Sequence, residues 1–319
     1  MARGRTPRRG ELAVKITVFG GSGFLGSHIC DKLSEAGHAV TIVDLHPSPW
    51  LRPDQTMLTG NILDEETVRR GVEGADMVFN YAGIADIGEA NNRPVDTARI
   101  NVLGNVMILE ACRRERVRRY VFASSLYVYG KSGGFYRCSK QACEIYIENY
   151  QAMHKLPYTI LRYGSLYGPR ADNRNAIYRF VREALEKKHI SYFGHAKALR
   201  EYIHVEDAAV CSVEILKPEY ANKHIVLSGH QPMRVGDVLK MIQEILGEPI
   251  EFEFLADDQS GHYEITPYSF NPQVGYKMTP RLSTDLGQGI LRVIEDVHRE
   301  INSQMRSAHG YLLNEESKK

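Results

Sequence analysis

The sequence predicts an α/β protein: a doubly wound parallel sheet with a smaller, mostly C-terminal α/β lobe. Three observations support this class. Apolar, β-branched runs alternate with helical patterns from Val14 to Tyr163, a rhythm that implies parallel strands with helices on both faces. The first strand runs into the glycine turn Gly20-Gly-Ser-Gly-Phe-Leu-Gly26, which opens a helix. Beyond Gly168-Pro169-Arg170 the rhythm loosens, as expected of a chain leaving its main sheet.

The elements follow in order. Residues 14–19 read as a buried strand and 24–36 as the helix behind the glycine turn. The β-branched run 39–44 is a second strand and 57–61 a third, while Asp64 starts a short helix and 77–81 is a fourth strand. A long helix spans 94–115, with Val102, Val106, Leu109 and Cys112 recurring on one face. A fifth strand at 119–124, a helix over 135–154 and a sixth strand at 158–163 complete the regular part. The rest reads as helices over 174–188, 205–217, 235–246 and 285–301, with strands at 190–193, 225–228 and 250–255. The segment 262–270 is too proline-punctuated for a simple element. The expected organisation is a disordered basic leader (1–13), a dinucleotide-binding domain (14–170, rejoined by 203–217), a substrate lobe (171–202 and 218–302) and a tail (303–319).

Composition excludes several classes. Lys and Arg (40) nearly balance Asp and Glu (39), so no global field favours nucleic acid or an acidic membrane. No apolar run approaches the roughly 18–20 residues that span a bilayer. The basic leader, with Arg3, Arg5, Arg8 and Arg9, lacks the apolar region of a secretory signal. Five cysteines without framework spacing suggest buried thiols in a reducing, cytoplasmic setting, with neither disulfides nor a metal site.

The chemistry starts at the glycine turn. Gly20 permits the tight turn, Gly23 lets a pyrophosphate approach the backbone, and Gly26 lets the helix pack closely. The helix start adds unpaired N–H groups and a positive dipole end. Asp44 ends the second strand eighteen residues beyond Gly26, where a carboxylate accepts ribose hydroxyls and repels a 2′-phosphate, so the expected cofactor is NAD. At the end of the fifth strand stands Ser125, and Tyr136 and Lys140 share a helix face at i, i+4. An ammonium beside a phenol favours the phenolate, so Lys140 is expected to lower the pKa of Tyr136 from about 10. Tyr136 would then be a general base towards a sugar hydroxyl, with Ser125 holding the oxygen and Lys140 also holding the nicotinamide ribose.

With these residues in register, the chain resembles the extended short-chain dehydrogenase/reductase superfamily, in its NAD-dependent epimerase/dehydratase branch, over residues 14–301. Further marks are Leu161-Arg-Tyr-Gly-Ser-Leu-Tyr-Gly-Pro-Arg170 and Arg200-Glu-Tyr-Ile-His-Val-Glu-Asp207. The resemblance implies a Rossmann-type sheet and a lobe binding a nucleotide sugar. It places Phe24 and Leu25 on the pyrophosphate, Asn61 and Ile62 beside the adenine, and Tyr81, Ala82, Gly83, Ile84 and Ala85 along the middle of the cofactor. Asn101 supports that stretch, and Tyr163 with Gly164 meets the carboxamide end. Arg200 would pair with the substrate diphosphate, and Ser125, Tyr127, Ser165 and His262 would border the sugar.

This chain also departs from the pattern. Only ten residues separate Ser125 from Tyr136, where a longer acidic-proline loop is usual, so one rim of the pocket is expected to be more open. Ala85 and Ser165 replace a lysine and an asparagine frequent in 4-epimerases, and a second diphosphate arginine is not evident. His204 reads as a packed histidine, Cys138 as core, and Tyr127 and Tyr129 as packing residues. The family's four-helix interface implies a homodimer through 94–115 and 135–154. The leading function is C4 epimerisation of a nucleotide-activated hexose through a transient keto-sugar. A 4,6-dehydratase would need an acid/base pair where Leu126 and Tyr127 stand. An NAD-dependent sugar dehydrogenase or reductase and a non-catalytic NAD-binding sensor or scaffold are the other readings.

Overall fold

The computed structural model describes residues 13–255, 276–278 and 283–316. Strand β1 (Lys15–Phe19) leads into helix α1 (Phe24–Glu35), then β2 (Ala39–Asp44), β3 (Gln55–Thr59), α2 (Glu65–Val72) and β4 (Met77–Asn80). Short helices α3 (Ile87–Asn92) and α4 (Pro94–Thr97) precede a π-helical stretch, Ala98–Leu103, and α5 (Gly104–Arg114). Next come β5 (Arg119–Ser125), a 3₁₀ turn Leu126–Tyr129, α6 (Gly134–His154), β6 (Tyr158–Tyr163) and β7 (Ser165–Tyr167). The remainder comprises α7 (Ala176–Lys187), β8 (His189–Phe193), β9 (Leu199–His204), α8 (Val205–Glu214), β10 (Lys223–Leu227), β11 (Pro232–Arg234), α9 (Val235–Leu246), β12 (Glu251–Leu255), β13 (Tyr276–Met278) and α10 (Leu286–Glu316).

Eight parallel strands form the main sheet in the order β3-β2-β1-β4-β5-β6-β10-β13. Each inner strand alternates between two buried faces. Ile16, Val18, Ile42 and Phe79 pack with Ile29 and Leu33 of α1 and Ala208 and Ala209 of α8. Phe19, Val43 and Val78 pack on the other face with Val68 and Val72 of α2, Ile108 of α5 and Ile147 of α6. Burying each such aliphatic side chain contributes roughly 1.5–3 kcal/mol. The order reverses between β1 and β4, which opens a crevice at their carboxyl ends, the usual ligand position in such sheets.

A third apolar cluster joins α7, α9 and α10, including Phe180, Val181, Val238, Leu239, Ile290 and Val297. Beside it lie a three-stranded sheet, β11-β9-β7, and a two-stranded one, β12-β8. His204 is buried and N-caps α8, its Nδ1 accepting the Glu206 N–H at 3.3 Å.

Several expectations shift. Lys223–Leu227, assigned to the second lobe, pairs with β6 in the main sheet, and Tyr276–Met278 pairs with it on its other side. Its consecutive buried residues Ile225, Val226 and Leu227 are those of a strand covered on both faces. The third strand begins two residues earlier, and the helix over 94–115 is broken by the π stretch. Helix α10 continues to Glu316, through the expected tail. Cys138 is exposed, not core. Residues 1–12 and the whole 262–270 stretch, His262 included, lie outside the described residues.

Candidate active site

The glycine turn is built as its spacing implies. A Cβ on Gly20, at φ +79°, would stand 2.5 Å from the Ala82 nitrogen, so only glycine lets β1 turn against the end of β4. A Cβ on Gly26 would stand 2.2 Å from the Gly20 carbonyl oxygen, so α1 can pack this closely only without one. Gly23 differs: it is exposed, and its Cβ would meet nothing closer than 3.4 Å. Helix α1 begins there with no side-chain cap and no acidic residue in its first turn, leaving N–H groups and the positive dipole end for an anion. Phe24 and Leu25 follow in that first turn, and Phe24 packs edge-on to His28, with ring centroids 6.2 Å apart.

Around the crevice, Asp44 accepts the Ser22 N–H on Oδ2 at 3.0 Å, which draws the end of β2 to the turn. Asn61 is exposed, and its Oδ1 accepts the Leu63 N–H at 2.9 Å, while buried Ile62 packs against Gly104. Asn101 organises the loop after β4: its amide accepts the Ile84 N–H at 2.7 Å and donates to the Ile84 carbonyl at 3.0 Å. It also donates to Ser139 at 2.9 Å, whose hydroxyl donates to the Tyr136 carbonyl at 2.8 Å. The loop carrying Ala82, Gly83, Ile84 and Ala85 is thereby tied to α6. These features fit a dinucleotide: an open helix start for the pyrophosphate and a carboxylate for a ribose.

Ser125 ends β5, is buried, and caps the 3₁₀ turn by accepting the Tyr127 N–H at 3.4 Å. Tyr136 and Lys140 project from α6 beside it. Lys140 is buried, donates to the Ala123 carbonyl at 2.8 Å and lies 5.7 Å from the centroid of the Tyr136 ring. The Tyr127 ring stands edge-on to that of Tyr136 at 6.2 Å. The expected lowering of the Tyr136 pKa does not hold here. Burial pushes it up to about 12, opposed by a hydrogen bond from Ser125. The physical reason is desolvation of the phenol; Lys140, whose own pKa burial lowers, commits Nζ to the Ala123 carbonyl.

Tyr81 and Tyr163 are brought together, but their phenols turn towards α8. Their hydroxyls are 3.0 Å apart, and that of Tyr163 lies 2.7 Å from the Ser212 hydroxyl. Burial raises both pKa values. Gly164 donates to the Leu227 carbonyl at 2.8 Å, and a Cβ there would stand 2.7 Å from the Glu201 carbonyl oxygen. Ser165 and Arg200 share the β11-β9-β7 sheet, Ser165 opposite Tyr202 and Arg200 opposite Met233. Arg200 is buried and donates to the Leu199 carbonyl at 2.9 Å and the Tyr192 hydroxyl at 3.2 Å.

Sequence reading missed two supports. Asn91 of α3 accepts the Phe135 N–H at 3.0 Å, capping α6 where Gly133 has no side chain to do so. Glu144 and Arg162 form a buried ion pair behind the Ser125 turn, Nη2 to Oε2 at 2.6 Å. The available signals were Glu144 four residues beyond Lys140 and an arginine inside an apolar strand. Among the described residues, no three His, Cys, Asp or Glu side chains are placed to hold a metal, and no helix is long and apolar enough to cross a membrane.

Comparison with known proteins agrees with this geometry. Among curated relatives, an uncharacterised UDP-glucose epimerase of Bacillus subtilis, YtcB, is 27% identical over 269 residues, covering 76% of this chain and 85% of the relative. A UDP-glucose 4-epimerase of Corynebacterium glutamicum is 28% identical over 274 residues, covering 75% and 83%. The solved UDP-glucose 4-epimerase of Thermotoga maritima, in complex with UDP-glucose, superposes with a TM-score of 0.80 at 24% identity, covering 90% of this chain and 99% of that one, and shows the same fold. The family model for the NAD dependent epimerase/dehydratase family matches residues 16–228, from the first strand to the seventh of the main sheet. The chain is therefore a member of the NAD-dependent epimerase/dehydratase family of enzymes.

Proposed function

We propose that this enzyme epimerises a nucleotide-activated hexose at C4 through a transient keto-sugar. The observation that carries this reading is the gathering of Ser125, Tyr136 and Lys140 at the carboxyl end of β5, next to the loop that Asn101 ties to α6. Bound NAD supplies a reversible hydride acceptor. Tyr136 takes the proton of the C4 hydroxyl and later returns it, and Ser125 holds the oxygen. Burial raises the Tyr136 pKa to about 12, and a positive charge held beside the phenol would favour the phenolate that accepts the proton.

Arg200 is the candidate partner of the substrate diphosphate, and Tyr127 and Ser165 border the sugar. Leu126 is buried and offers no acid, which disfavours a 4,6-dehydratase. We also infer a homodimer through the helices at 94–115 and 135–154. Ile145, Tyr146 and Met153 on α6 and Leu103 at the end of the π-helical stretch are apolar and exposed, forming a face that a second copy would cover. Five free thiols, four of them buried, accord with a cytoplasmic protein.

The test is incubation with UDP-glucose, UDP-N-acetylglucosamine and UDP-glucuronic acid, following products by NMR and free NADH by absorbance. A C4 epimer without net NADH is expected; a 4-keto-6-deoxy product or stoichiometric NADH would overturn the reading. Tyr136→Phe should lower turnover by roughly 10²–10⁴-fold while NAD stays bound.

A further inference from the structure

Behind the catalytic turn lies a charge pair that the chemistry does not consume. Arg162 on β6 is wholly buried and Glu144 on α6 is nearly so. The guanidinium meets the carboxylate as a fork, Nη2 to Oε2 at 2.6 Å and Nε to Oε1 at 3.0 Å. Both partners make further ties, and Glu144 Oε2 also lies 3.7 Å from His224 Nδ1. Glu144 Oε1 accepts the hydroxyl of Ser124, and Arg162 Nη1 donates to the Tyr129 hydroxyl at 2.6 Å with its guanidinium carbon 4.6 Å from that ring's centroid.

The tied groups are the flanks of the site. Ser124 precedes Ser125 on β5. Tyr129 ends the 3₁₀ turn that Ser125 caps. Glu144 continues the series Tyr136, Lys140, Glu144 along one face of α6, at steps of four residues. One fork therefore spans the three elements whose relative placement decides where the Ser125 and Tyr136 oxygens meet. Stability alone does not explain it, because apolar residues of similar volume usually replace a buried ion pair without loss. Geometry does: a planar fork on a carboxylate fixes distance and angle together, which apolar packing does not.

We propose that Glu144 and Arg162 are positioning residues for the reaction, holding the Ser125 turn and helix α6 in the register that proton transfer requires. The proposal rests on the reading of Ser125, Tyr136 and Lys140 as the catalytic set. A misplacement of about 1 Å at a reacting group can cost of order 10²-fold, so the loss should appear in kcat.

The experiment compares wild type, Tyr136→Phe, Arg162→Lys and the double variant Glu144→Leu/Arg162→Met, measuring kcat and KM with UDP-glucose, bound NAD and Tm. The double variant should keep NAD, a Tm near that of wild type and a KM within about threefold, while kcat falls by about 10–100-fold. Arg162→Lys keeps the charge without the fork, so its kcat should also stay low. A folded double variant with wild-type kcat, or full rescue by lysine, overturns the positioning role while an inactive Tyr136→Phe leaves the catalytic reading standing. An active Tyr136→Phe, or a wild type that does not turn over UDP-glucose, overturns both. Should the double variant fail to fold, Ser124→Ala/Tyr129→Phe cuts only the two ties. It should lower kcat by about 3–10-fold at unchanged KM, and an unchanged kcat there overturns the proposal as well.

Discussion

Gly23 and Gly26 sit in the same turn, three residues apart, and alanine at each should fail in a different way. At Gly26 the new methyl would lie 2.2 Å from the Gly20 carbonyl oxygen and 2.9 Å from the Gly21 Cα, backbone that cannot rotate aside. Ordinary contact needs about 1 Å more, so α1 must lift from the turn. Overpacking of this kind costs about 1–3 kcal/mol, or roughly 2–12 °C in Tm at 2–4 °C per kcal/mol. At Gly23 the methyl meets only the Gly20 carbonyl oxygen, at 3.4 Å, and the backbone (φ −76°, ψ 177°) suits any residue. Gly23→Ala should therefore shift Tm by no more than about 3 °C, the small penalty of alanine at an N-cap. Its effect should fall on the cofactor. If the pyrophosphate approaches the Gly23 backbone, one lost charge-assisted hydrogen bond of about 1.5–3 kcal/mol raises the Kd for NAD by roughly 10–150-fold. Calorimetric titration of NAD into stripped protein, beside thermal melts, reads both quantities. Wild-type NAD affinity in Gly23→Ala would refute the placement of the pyrophosphate, and an unshifted Tm in Gly26→Ala would refute the close-packing argument.

Two further outcomes follow from the site. The hydrogen bond from Ser125 favours the Tyr136 phenolate, so Ser125→Ala should move the rising limb of the kcat–pH profile to higher pH; an unmoved limb would separate Ser125 from the titrating group. Asn91→Ala frees the Phe135 N–H at the start of α6, which should lower Tm by about 2–4 °C, roughly 1 kcal/mol, and reduce kcat several-fold because Tyr136 lies in the first turn. Unchanged melting would show that Asn91 does not cap the helix.

Much of this architecture is legible because it repeats. Strands β1, β2, β4, β5 and β6 are short, largely buried runs rich in apolar residues, and each precedes a turn or helix signal. Helix α9 matches its expected bounds because its apolar period is strong and Gly247, at φ +68°, ends it. What periodicity does not carry is layer membership. Lys223–Leu227 is recognisable as a strand, but nothing local says that it pairs with β6. Strand β9 was hidden because Arg200 and Glu201 interrupt its apolar run although both are buried. The i, i+4 spacing brings Tyr136 and Lys140 to one face, yet the direction of Nζ depends on the Ala123 carbonyl across the gap. Burial of the phenol, which the spacing does not report, reverses the expected pKa shift. Cys138 does face away from Tyr136 and Lys140, but that side of the helix meets solvent.

The central claim is that the C4 hydrogen leaves the sugar and comes back to the same carbon. UDP-glucose deuterated at C4, incubated with the purified enzyme in ordinary water and followed by NMR, tests it most directly. Epimerisation predicts a C4 epimer that keeps its deuterium at C4 with no net NADH. Deuterium recovered in free NADH, at C6 of a 4-keto-6-deoxy sugar or in solvent would contradict it.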